Sequence, residues 1–179
     1  MIPAPSSLKT PVGGLILELA GHLGEPATVA LACDLLGGAG PAAYGQEIVY
    51  LTGHEHAHVG WADYWPRVWG ARALLYVWEE SAAPAVLDGT RDEAWRVAEM
   101  CLKVSTRHEL AGAGDAAVAL ATHELPRVRG QAIRFLGVAG DSEHVPVALA
   151  ALEDPEEGVR RQAARAMDLL QIRLDLVDP

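Results

Sequence analysis

Apolar residues recur every three to four positions along much of this chain, the period of a helix that buries one stripe. The pattern is cleanest from Glu93 onward. Across 92–105 (DEAWRVAEMCLKVS), Ala94, Val97, Ala98, Cys101, Leu102 and Val104 fall mostly on one face. Asp92 is placed to cap that helix, with acids in its first turn to suit the helix dipole. The glycine-rich run AGAG at 111–114 predicts a break, followed by a short helix over about 115–123. Pro126 predicts the start of the next helix (126–140), since first-turn amides have no partner within a helix anyway. A helix over about 143–153, the dipeptide Asp154-Pro155 and a long final helix complete the pattern.

The units repeat. The tetrapeptide Val-Ala-Leu-Ala begins at Val29, Val118 and Val147, each time downstream of a glycine-acid pair: Gly24-Glu25, Gly114-Asp115 and Gly140-Asp141. The segment Val128–Arg134 lies over Val159–Arg165 without gaps, a shift of 31 residues. WGARALLYV (69–77) and AWRVAEMCL (94–102) fit the same frame more loosely, with Ala73, Ala98, Ala132 and Ala163 as the small anchoring residues. Recurrence of one helical unit marks a stacked repeat in which each unit buries its stripe against its neighbours.

These residues resemble the HEAT repeat, in particular the bacterial HEAT-like family named after phycobilisome lyases. The first helix of that family reads Val-Arg-x-x-Ala-x-x-x-Leu after an Asp-Pro turn. Here Asp154-Pro155, Val159-Arg160, Ala163 and Met167 follow the pattern, as do Val128-Arg129, Ala132 and Leu136. The resemblance implies an all-α fold, a right-handed α-α superhelix (a HEAT/armadillo-like solenoid) of about four to five helical pairs. Its second helices would line the concave side. It also implies one repeat domain over 1–179, with a weak first repeat at 13–37, an insertion at 38–62 and repeats over 63–172. Such a fold specifies a surface and no particular chemistry.

Composition narrows the partners. Half the residues are apolar but only 6% are aromatic, so Ala, Leu and Val must fill the core. The net charge of −10 opposes nucleic acid and favours a basic or arginine-containing protein or peptide. No stretch approaches the length of a membrane span, and Met1-Ile2-Pro3-Ala4-Pro5 lacks the features of a secretion signal, so no membrane partner and a cytoplasmic location are expected. Cys33 and Cys101 lie in apolar helical stretches, which predicts buried free thiols.

Candidate chemistry gathers in the insertion. His54, His56 and His58 alternate, so in an extended segment all three imidazoles point one way, as ligands of a divalent transition metal would. That metal is the one candidate cofactor. Trp61, Tyr64, Trp65 and Trp69 follow, and large amphipathic rings are good anchors for a peptide. The pairs His54-Glu55, His108-Glu109 and His123-Glu124 resemble those that bind iron in deoxyhypusine hydroxylase, a HEAT-repeat protein. The slots where that family places them hold Gly130-Gln131 and Arg161-Gln162 here, so a di-iron centre is not expected. Arg127, Arg129, Arg134, Arg160, Arg161 and Arg165 interleave with Glu153, Asp154, Glu156 and Glu157, which predicts intramolecular ion pairs. No nucleophile elbow, phosphate loop or dinucleotide fingerprint is present. The expected function is a non-enzymatic protein- or peptide-binding scaffold. The alternative is a metal-dependent or lyase-like enzyme, or a subunit of one, on the same scaffold.

Overall fold

The computed structural model describes residues 2–55 and 60–176, and every regular element among them is helical. Contacts cluster into two compact units, Met1–Gly89 and Thr90–Pro179.

The first unit opens with α1 (Val12–Leu23) and α2 (Glu25–Leu36), which bend by 120° at Gly24. Gly24 has φ +86°, a left-handed conformation that a side chain would oppose. The segment 38–62 is more than a loop: after a 3₁₀ turn at Pro41–Ala43 it carries α3 (Gln46–Thr52), with Ile48, Val49, Tyr50, Leu51 and Thr52 all buried. These residues pack α3 against α1, so the insertion adds a core element. Gly53, left-handed at φ +75°, ends α3, and its amide donates to the Val49 carbonyl. Next come α4 (Trp65–Ala73) and α5 (Ala83–Gly89), both packed on α2. At the α2–α4 crossing a Cβ on Gly70 would lie 2.8 Å from the Leu36 nitrogen, so only glycine permits this approach.

The second unit is more regular. Its long helices are α6 (Trp95–Arg107), α8 (Pro126–Ala139) and α10 (Glu157–Leu174), and their first residues are 31 apart each time. Between them lie the short helices α7 (Gly114–Leu120) and α9 (Val145–Ala150). Each long helix is preceded by the same turn, in which a side chain accepts from the amide two residues on. Asp92 Oδ1 accepts from Ala94 at 2.8 Å, His123 Nδ1 from Leu125 at 3.0 Å and Asp154 Oδ1 from Glu156 at 2.9 Å. Asp92 therefore shapes the turn and does not cap the helix, which starts three residues later.

This register corrects the anchor at Ala98. The residue equivalent to Ala132 and Ala163 is Cys101, and all three are fully buried. The expected break also moves. The chain reverses at Glu109 (φ +53°), whereas 111–113 forms a 3₁₀ turn that runs directly into α7. Gly114 lies inside that helix, where a Cβ would meet His144 Nε2 at 2.8 Å. His144 is itself held by a capping box with Asp141, its Nδ1 accepting from the Asp141 amide at 2.8 Å. Among the described residues no single helix is long and apolar enough to cross a membrane.

Candidate functional site

In the first unit, the start of α4 and the chain before it build an aromatic cleft of about 310 Å³. One wall is Trp61 and Trp69, with Pro66 and Arg67; the other is the glycine-rich stretch Gly38–Pro41, and Asp63 stands at the rim. Trp69 is 1% exposed, a core residue of α4, so it backs the cleft and cannot itself be an anchor presented on the surface. Trp61 is 41% exposed, and Tyr64 and Trp65 are partly exposed. The rings form one cluster. Trp61 meets Trp65 edge-on at 5.2 Å and Trp69 at 5.3 Å, while Tyr64 lies 5.5 Å from Trp65. Such edge-to-face packing holds Trp61 in place although its outer face is bare.

His54 is exposed beside Trp61, with ring centroids 6.1 Å apart. His56 and His58 lie outside the described residues. No group of three or more metal-ligating side chains gathers among the residues described. His108 and His123 sit in the turns that end α6 and precede α8, where His123 serves the backbone. Gly38–Pro41 has no place among the sequence-level site residues. Its signal was the run Gly37-Gly38-Ala39-Gly40-Pro41, which reads as a turn and gains meaning only when α4 folds against it.

Arg72, one helical turn past Trp69, donates to the Leu51 carbonyl, the C-terminal end of α3, while its buried Nε has no partner among the described residues. Burial lowers the pKa of this guanidinium. Cys101 is buried as expected but Cys33 only partly so; desolvation raises both thiols, Cys33 with help from Asp34 and Cys101 more strongly, so neither is a ready nucleophile at neutral pH.

The second unit carries a different surface. Its arginines mostly serve the stack, but among the described residues only Arg129 and Arg161 meet the interleaved acids, while Arg127 reaches Glu99 and Arg160 backbone carbonyls. Arg129 forks onto Asp154 at 2.7 and 2.8 Å, linking α8 to the turn before α10. Hydrogen bonds from that guanidinium hold the Asp154 carboxyl below the ordinary range and raise the arginine in turn. Arg129 also donates to the carbonyls of His123 and Glu124, and Arg160 repeats the pattern on Asp154 and Pro155. Arg127 forks onto buried Glu99, which Lys103 also meets at 2.9 Å. Arg161 pairs with Glu157.

Residues 114–174, which span α7 to α10, match the family model of HEAT repeats. A search of the curated proteins finds no match to the chain.

Proposed function

We propose that this chain is a non-enzymatic binding module that takes a peptide or exposed segment of a protein partner in the aromatic cleft. The observation that carries the reading is the cleft itself: about 310 Å³, with a half-exposed indole clamped in place by two others. Rigid aromatic anchors lose little side-chain freedom on binding, which is why they dominate interface energetics. The first unit carries three basic and nine acidic residues, and Asp63 stands at the cleft rim, so the favoured partner presents arginine or lysine. A cation over the bare face of Trp61 would add ring attraction to the long-range field. The buried helices α2 and α4 are a suitable support, because their packing holds Trp69 at the back of the cleft before binding. The Asp154-Pro155 and Val159-Arg160 spacing supports placing the chain with the bacterial phycobilisome-lyase-like branch of such repeats.

The test uses a positional library of short fluorescein-labelled peptides containing Arg, Lys, Pro and Leu, read by anisotropy against the full chain. Arginine-containing peptides should bind best, and Trp61→Ala should weaken them by roughly thirtyfold, the effect of losing a true anchor. Asp63→Asn should weaken the basic peptides alone. Equal binding by wild type and Trp61→Ala, or no binding by any library member, would defeat the proposal.

A further inference from the structure

The α8–α10 face of the second unit holds a cleft of about 330 Å³ unlike the aromatic one. On α10, Gln162, Arg165, Ala166 and Leu169 share one face at helical spacing, and Arg134 and Val138 face them from α8. Val138, Ala166 and Leu169 form an apolar floor, and Leu169 is 42% exposed. Arg134 and Gln162 also line an adjoining cleft of about 300 Å³, so the two clefts share a wall along the groove between α8 and α10.

The charges in this groove are its distinguishing feature. On α8 and α10, Arg127, Arg129 and Arg161 each hold a carboxylate, while Arg160 and Arg173 cap backbone carbonyls. Arg134 and Arg165 are exposed, and neither has a hydrogen bond or ion pair among the described residues. Glu156 lies at the far end of the adjoining cleft, away from Arg165. The groove thus presents two uncommitted guanidinium groups beside an apolar floor in a chain of net charge −10, where acids to neutralise them are plentiful in sequence.

We propose that this groove binds an acidic, amphipathic segment of a partner protein, with its carboxylates on Arg134 and Arg165 and an apolar side chain over Leu169 and Val138. A guanidinium matches a carboxylate in a planar fork, and the apolar floor selects for a segment that carries more than charge. Nucleic acid has the charge but no apolar side chain for this floor, and its phosphates face an unfavourable overall field. The groove shares no lining residue with the aromatic cleft, so either assignment can fail without the other.

The probe is a short fluorescein-labelled peptide in which Asp or Glu alternates with Leu, read by anisotropy against the full chain. A Lys-for-acid counterpart and a single-stranded oligothymidine serve as comparisons. The acidic peptide should bind saturably and weaken with added salt. Arg134→Ala and Arg165→Ala should each cost about tenfold, and the double variant roughly a hundredfold. Arg107→Ala, on an exposed arginine of α6, and Trp61→Ala should change little, and the arginine variants should melt with the wild type. The proposal is overturned if the acidic peptide binds no better than its lysine counterpart, or if its binding survives the double substitution. Loss of the peptide with Trp61→Ala would place it in the aromatic cleft instead. Capture of the oligothymidine alone would make the partner a nucleic acid.

Discussion

The two units reach helical packing by different routes. In Thr90–Pro179 the same turn, the same helix start and the same buried small residue return every 31 residues, and one arginine-carboxylate fork ties α8 to the turn before α10. In Met1–Gly89 the packing depends on particular residues: a glycine at the α2–α4 crossing, an inserted helix, and an indole filling the space beside it. Regularity makes a unit easy to match to a family model, and the matched segment lies in the regular unit. Irregularity leaves room for large side chains that the stack does not require, and the aromatic cleft lies in the irregular unit. Both units share one device, a glycine where two helices nearly touch: Gly70 against α2 and Gly137 against Ala166.

If the first unit depends on single large residues, Trp69→Ala should be the most damaging change, at about 3–5 kcal/mol for a buried indole. Trp61→Ala, a few ångströms away, should cost no more than about 1 kcal/mol, because that ring is already half in water. Urea midpoints for the two variants test this directly. Similar losses would mean that the cluster is one core and no surface.

The helix crossing of the second unit comes next. A Cβ at Gly137 would lie 2.6 Å from the Ala166 Cα, so Gly137→Val must push α8 from α10 and should cost on the order of 3 kcal/mol. Ala132→Phe and Ala163→Phe should each lose about 1–3 kcal/mol by the same overpacking. Calorimetry showing unchanged melting for any of the three would mean that the register is wrong.

The fork between Arg129 and Asp154 is expected to matter less. Asp154→Asn keeps an oxygen for the turn but loses the charge, and should cost about 1.5–2 kcal/mol at neutral pH. The dependence on pH has a definite sign. Because the folded carboxyl titrates below the unfolded value of about 3.9, its contribution is complete above that value and disappears as pH falls through the folded one. The difference between wild type and Asp154→Asn should therefore be constant near neutrality and start to shrink as pH falls below about 4. A difference that does not shrink at all on acidification below about pH 4 would assign the effect to something other than charge.

Smallest of all is Cys101→Ala. Alanine already occupies the equivalent place in the next two repeats, so the loss should stay within about 1 kcal/mol even though Cys101 is fully buried. Ala98→Cys, outside that register, is the contrasting variant and should be worse tolerated.

The helical period and the 31-residue return were legible in the sequence, because burial of one stripe per helix and one turn per repeat leaves its mark at fixed spacing. Pro126 as a helix start and the helices after Gly24 and Gly140 could be read there, since each depends on near neighbours along the chain. Register was harder. The looser fit of AWRVAEMCL to the frame points to Ala98 as the anchor, whereas the helix starts and the turn hydrogen bonds of Asp92, His123 and Asp154 give that place to Cys101. Tertiary structure alone separated Trp69 from Trp61, because residues eight apart on similar patterns differ only in what α2 and the Gly38–Pro41 stretch lay against them. It alone also left Arg134 and Arg165 without partners, since whether an arginine meets an acid depends on distances between helices that no local spacing encodes.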